Sequence, residues 1–270
     1  MSSSSRSPAP APLLRPDEPP PFEVLNPDGR APILLVCDHA SNRIPKALGT
    51  LGLDEVALGL HVASDIGAEI MTRTMSARLD APAVLANYSR LVIDLNRPPE
   101  HPTSIVETSD DIAVPGNRAL DRDARESRLA ALFRPYHEAV AERIAAVKRR
   151  GVPPMVLAVH SFTPRLGGED RRWQAGILWN RDGRLARALI DRLSALGDIV
   201  VGDNEPYSGR TLFYTLDVHA GAAGLAHAGI EVRQDLVMEP EAAHAWGERL
   251  ADVVEKLIGR ADLHRIESFG

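Results

Sequence analysis

Short apolar runs that stop abruptly at polar residues restrict the fold of this chain more than any other feature of its sequence. The runs are ILLVC (33–37), AVLA (83–86), LVID (91–94), MVLAV (155–159), GILW (176–179), IVV (199–201) and GIEV (229–232). Brief, largely continuous apolar stretches are the mark of strands buried on both faces. Between them lie segments with helical spacing. At 54–79, Asp54 is a plausible N-cap and Val62, Ile66 and Ile70 recur every fourth residue. At 118–150 a long helix is expected, with Pro135 as a point of interruption, and shorter helices are expected at 185–196 and 241–257. Strands alternating with helices predict an α/β chain with a mostly parallel sheet and helices on both faces. No repeat and no linker-like stretch divides 22–270, so one domain is expected.

The remainder reads as loops and a tail. Residues 1–21 are rich in Ser, Ala and Pro and lack the apolar core of a signal peptide, which predicts a disordered tail. Long loops are expected at 98–118 and 163–172, and a turn-rich loop at 202–209. No apolar run approaches the roughly 18 residues of a membrane span. The net charge of −6 argues against a nucleic-acid partner, although local arginines can still receive a small anion. The single cysteine, Cys37, excludes an intramolecular disulfide framework and fits a reducing cytoplasm.

In open α/β sheets, ligands bind beyond the carboxyl ends of the strands. The residues there are Asp38-His39-Ala40-Ser41-Asn42, then Asn96-Arg97, then His160-Ser161-Phe162, then Glu231 with Arg233, Gln234 and Asp235. Two neutral imidazoles plus a third ligand hold zinc with an open position. Such an ion polarises an amide carbonyl and acidifies water, a nearby carboxylate moves the proton, and arginines clamp a substrate carboxylate. Each residue also has a plainer reading. A strand-end His is often a polar terminus, and Arg90 and Arg97 fit surface ion pairs equally well. His61 and Asp65, spaced i,i+4, read as a solvated pair, as support for ligands, or as ligands themselves. Cys37 reads as a buried, inert thiol and Gly167-Gly168 as a turn. No G-x-S-x-G is present, which argues against a serine hydrolase of the common α/β type.

The segments LLVCDHASNRIP (34–45), HVASDIGA (61–68), YSRLVIDLNRP (88–98), LAVHSFTP (157–164), GDNEPYSG (202–209) and GIEVRQDLV (229–237) together resemble the N-formylglutamate amidohydrolase family. The resemblance implies a three-layer, zinc carboxypeptidase-like fold with a mixed sheet. It also implies hydrolysis of a small N-acyl amino acid, N-formyl-L-glutamate yielding formate and L-glutamate. By that likeness His39 and His160 ligate Zn2+ or another divalent ion, and Glu231 is the general base. Asn96 and Arg97 bind the substrate carboxylate, with Arg90, Ser161, Asn204, Tyr207 and Arg233 as further substrate-binding candidates. One departure stands out. The carboxypeptidase pattern places Glu at the position of Asn42, so the third ligand is expected elsewhere, with Asp65 the candidate. The alternatives are a non-catalytic binder of carboxylate ligands on the same fold, and a peptidase. A peptidase would need an open cleft, whereas the loops at 98–118 and 163–172 are placed to cover the site and exclude water.

Overall fold

A computed structural model describes residues 12–211 and 213–269. Seven strands, β1 (Phe22–Leu25), β2 (Ile33–Cys37), β3 (Ala83–Ala86), β4 (Met155–Phe162), β5 (Ala175–Leu178), β6 (Val201–Asp203) and β7 (His227–Arg233), form one sheet. Their order is β1-β3-β2-β4-β7-β5-β6. The edge strand β1 is antiparallel to β3, and β5 is antiparallel to β7, while the other neighbours are parallel.

Strand alternation sends successive side chains to opposite layers. Leu35, Cys37, Leu157, Val159, Ile230 and Val232 pack with α1 (Ala68–Leu79), α3 (Arg184–Ser194) and α4 (Pro240–Ile258). Leu34, Val36, Val156 and Ala158 pack with α2 (Arg134–Lys148) through Tyr136, Val140 and Ile144. Both faces are therefore covered, and the expected mixed sheet between two helical layers is present. Each fully buried aliphatic side chain stabilises this arrangement by about 1.5–3 kcal/mol. Helices α1 and α4 approach so closely that a Cβ on Gly247 would lie 2.6 Å from the Thr74 Cβ, a contact only glycine permits.

Several segments differ from the sequence expectation. The helix expected over 54–79 is broken. Asp54 caps a single turn, Glu55–Leu58, and the regular helix starts only at α1. The intervening backbone is satisfied from outside: Ser89 Oγ donates to Ala63 O (2.7 Å), and the Asp65 N–H donates to His39 O (3.0 Å). Residues 91–94 are buried but form no strand. The Val92 carbonyl accepts from the buried Arg128 guanidinium (2.9 Å), and the Asp94 N–H donates to Ser104 O, so side chains and a loop replace ladder bonds. A wide turn, Leu129–Phe133, runs straight into α2 just before Pro135, where the missing N–H disturbs the helical ladder. Of the tail expected at 1–21, residues 1–11 lie outside the described residues, but 12–21 are docked. Leu13 is buried, Tyr88 Oη donates to Pro19 O (2.8 Å), and Lys46 pairs with Asp17. Composition missed this because the body supplies the partners. The loops at 98–118 and 163–172 carry small hairpins, the second turning on Gly167 and Gly168. Among the described residues no helix is long and apolar enough to cross a membrane.

Candidate active site

The parallel pairing of β2, β4 and β7 brings their carboxyl ends together. His160 and Glu231 are register partners on adjacent strands, so their side chains emerge side by side on one face. His39 follows the end of β2 by two residues. Asp65 comes from the broken segment before α1. Its N–H bonds the His39 carbonyl, and Gly67 then turns the chain in the left-handed region at φ 79°. A Cβ at Gly67 would lie 2.5 Å from Val237 O, so glycine is required there on both counts.

These segments build one buried cluster. Asp65 Oδ2 lies 3.2 Å from His39 Nδ1 and 2.7 Å from His160 Nδ1. The other ring nitrogens face separate carboxylates. His39 Nε2 is 2.8 Å from Asp94 Oδ1, and His160 Nε2 is 3.5 Å from Asp38 Oδ2, too long to close a good hydrogen bond. Arg90 clamps Asp94 (2.7 Å), while Tyr136 Oη (2.7 Å) and Thr215 Oγ1 (3.0 Å) donate to Asp38.

The charges follow from these contacts. Burial alone would lower both imidazoles, but Asp38 and Asp65 hold His160 well above its ordinary range. Asp94 and Asp65 likewise raise His39 against burial and Arg90. Burial would raise Asp65, yet the two imidazoles hold it well below the usual carboxylate range. Glu231 behaves oppositely: burial pushes it up to about 7 against the pull of His160. Its Oε2 is buried without a hydrogen-bond partner.

His39, Asp65 and His160 offer three ligand atoms within 4.8 Å of one another, the one such group found among the described residues. Both Nδ1 atoms turn toward the same carboxylate oxygen; Asp94 backs His39 Nε2, and Asp38 faces His160 Nε2 without closing a hydrogen bond. That is the arrangement that fixes ring orientation around a metal ion. The three side chains are placed to hold a divalent cation, with Glu231 free beside them.

Residues 31–238 match the family model for N-formylglutamate amidohydrolase. The chain belongs to this family. It is accordingly a hydrolase of C–N amide bonds. It is 27% identical over 246 residues to an N-formylglutamate deformylase of Pseudomonas aeruginosa, covering 85% of this chain and 91% of that one. A solved Agrobacterium tumefaciens gene product superposes with a TM-score of 0.87 at 36% identity, over 90% of this chain and 97% of that chain. An N-formylglutamate amidohydrolase of Ralstonia eutropha shares the fold, with a TM-score of 0.70 at 19% identity over 88% and 97% of the two chains.

In this amidohydrolase the cluster borders a cavity of about 150 Å3, next to a wider space of about 400 Å3 walled by the 98–118 and 163–172 loops. Arg97 and Tyr207 line both spaces. Among the described residues no carboxylate pairs with Arg97, whose guanidinium donates to Asn96 O (2.8 Å). The Tyr207 hydroxyl accepts from Arg171 (2.9 Å), leaving its own hydrogen free. Arg90 lines both spaces too, with its charge committed to Asp94 and Asp65. Asn96 lines the smaller cavity, held by the Thr215 N–H on its Oδ1. Ser161 lines it as well, although its hydroxyl donates to Ile66 O (2.7 Å).

Two expected substrate residues stand outside the cavity lining. Asn204 Oδ1 accepts from the Trp179 and Gly209 N–H groups and pins its own loop. Arg233 pairs with Asp235 (2.7 Å) and donates to Arg171 O, anchoring the 163–172 hairpin. The departure at Asn42 has a structural answer. Asn42 is exposed and donates to Leu58 O, while Asp65 brings a carboxylate to the histidines from another segment. His61 pairs with Asp110 (3.1 Å) rather than with Asp65, because no helix joins them. Sequence reasoning missed Asp38 and Asp94 as the groups behind the rings. Each ends an apolar run, and that position was their only signal.

Proposed function

We propose that the protein hydrolyses the amide bond of a small N-acyl amino acid in a metal-dependent reaction, with N-formyl-L-glutamate as substrate and formate and L-glutamate as products. The observation that carries this reading is the meeting of two imidazole Nδ1 atoms on Asp65, beside a buried, unpartnered Glu231 carboxyl. The substrate assignment draws support from the name of the Pseudomonas relative. His39, Asp65 and His160 would hold zinc or another divalent ion, which supplies Lewis-acid polarisation of the acyl carbonyl when bound.

The remaining chemistry belongs to the chain. Glu231 takes a proton from the attacking water as the oxygen adds to the acyl carbon, and hands it to the leaving amine as the C–N bond breaks. Its pKa near 7 suits both transfers at neutral pH. Arg97, a cavity cation with no carboxylate partner among the described residues, receives the substrate carboxylate together with Asn96. Tyr207 offers an O–H donor to the bound acyl amino acid. Arg90 acts through Asp65 and Asp94, keeping both charged. The two cores share one sheet, which supports a single catalytic domain over 22–270. Buried Cys37 fits a reducing cytoplasm.

The test couples metal analysis with an assay of formate release. Protein purified without chelator should carry a divalent ion, and chelation should abolish turnover. Glu231→Gln should lower kcat about 100-fold or more without changing the melting temperature greatly. Turnover by metal-free protein, or normal turnover by the Gln variant, would overturn the reading.

A further inference from the structure

Strand β5 runs antiparallel to β7, so the turns after β5 lie beside the start of β7, at the other end of that strand from Glu231. There a cavity of about 340 Å3 opens against the turn Asp217–Gly221. Carboxylates outnumber cations in its lining: Asp182, Asp217 and Glu267 stand with Arg181. Among the described residues no cation pairs with Asp217, whose carboxylate accepts only from Asn180 Nδ2 (3.2 and 3.4 Å). His227 is 2% exposed and sends its Nδ1–H to Leu225 O (2.7 Å), which leaves Nε2 as a lone-pair acceptor. Burial lowers the affinity of this ring for a second proton. Asp217 Oδ1 and His227 Nε2 each lie 3.7 Å from the point that a Cβ on Gly221 would occupy, so both are within reach of one spot at the cavity wall.

Of the other charged groups lining the cavity, Arg181 is exposed and in no ion pair among the described residues, while the two carboxylates are matched. Asp182 is paired with Arg184 (2.6 Å), and Glu267 approaches the same arginine (3.4 Å). Among the described residues Asp217 and His227 belong to no three-ligand cluster of the kind built around Asp65. An imidazole lone pair at the cavity wall beside a carboxylate without a cation suits N–H donors carrying positive charge.

We propose that this cavity binds the primary ammonium group of a small molecule. Asp217 supplies the counter-charge, and His227 Nε2 and Asn180 Oδ1 accept N–H bonds. The ammonium can come from a simple amine or from a free α-amino acid, whose carboxylate would meet Arg181, exposed at the cavity mouth.

Calorimetric titration of the metal-loaded full-length protein separates these cases. The probes are butylammonium, the amino acid norvaline, and 1-butanol as the uncharged control. At least one ammonium-bearing probe should saturate with a Kd on the order of 1 mM, and butanol should not. Asp217→Asn should weaken binding about tenfold or more. Gly221→Ala, which adds a methyl at ordinary contact distance from the ring, should block the site without disturbing the fold. Glu231→Gln should leave the titration unchanged, which separates this cavity from the catalytic one. Preference for norvaline, lost in Arg181→Ala, identifies an amino-acid site; preference for butylammonium identifies an amine site. Binding of butanol equal to butylammonium, an unaltered Asp217→Asn titration, or no saturable heat from either ammonium-bearing probe through about 50 mM would overturn the proposal. Binding is read without hydrolysis, so the result stands apart from the catalytic assignment.

Discussion

Two pairs of histidines pack together in this molecule at the same separation and with opposite electrostatics. His39 and His160 have ring centroids 5.1 Å apart in an edge-on arrangement, and His137 and His219 have centroids 5.1 Å apart, nearly stacked. The first pair is surrounded by Asp38, Asp65 and Asp94, which raise both rings against burial. Among the described residues no carboxylate meets the ring nitrogens of the second pair. His137 Nε2 donates to Leu95 O (3.0 Å), and His137 Nδ1 meets His219 Nε2 (2.8 Å). Burial therefore prevails, and His137 is pushed down to about 4. What decides the role of a buried imidazole is the charge of its partner. The carboxylate-lined pair is placed to hold positive charge, and the carbonyl-lined pair disfavours it.

Changing Asp65 should break this contrast most severely. Asp65→Asn keeps the shape but removes the negative charge that both Nδ1 atoms address. The variant should lose its tightly held metal, and kcat/KM for formate release should fall by more than about 100-fold. Asp94→Asn sharpens the same point at lower cost. The amide can still accept from His39 Nε2 but no longer balances Arg90, so metal affinity or activity should fall between about 10- and 100-fold. Metal content and kcat/KM measured on both variants test the ranking. Equal losses would show that Asp65 acts only as a partner to the rings and not as a ligand.

The legibility of this site in the sequence follows the same division. Strands of consecutive apolar residues were readable because burial on both faces leaves no alternation, and they placed His39, His160 and Glu231 at one sheet edge. The position of Asp65 was not readable as geometry. Its spacing from His61 mimics a helix face, and only tertiary bonds from His39 O and Ser89 Oγ show that no helix is there. Residues 91–94 misled for the same reason: an apolar run is buried whether its carbonyls meet a strand or the guanidinium of Arg128. Asn204 and Arg233 lay in the right motifs, yet their side chains hold loops in place, because motif membership does not fix the direction in which a side chain points.

His137→Phe should affect turnover least and isolate the carbonyl-lined pair. His137 binds a proton more weakly folded than unfolded, so between its folded value near 4 and the ordinary 6.5 the unfolded chain takes up the proton first. The stability contribution is therefore fully present above about pH 6.5 and is lost as the pH falls toward 4, an effect on the order of 3 kcal/mol. His219, lowered by burial, acts with the same sign. Urea unfolding of the wild type should weaken steadily over this window. The Phe variant should start less stable at pH 7.5 by about 1–3 kcal/mol, because the Leu95 carbonyl loses its donor, but should show a shallower decline toward pH 4. Formate release at pH 7.5 should stay within a few-fold of wild type, since neither ring of this pair lines the cavity beside His39 and His160. An unchanged slope would mean that the acid sensitivity resides elsewhere, and the contrast between the two histidine pairs would then lose its thermodynamic half.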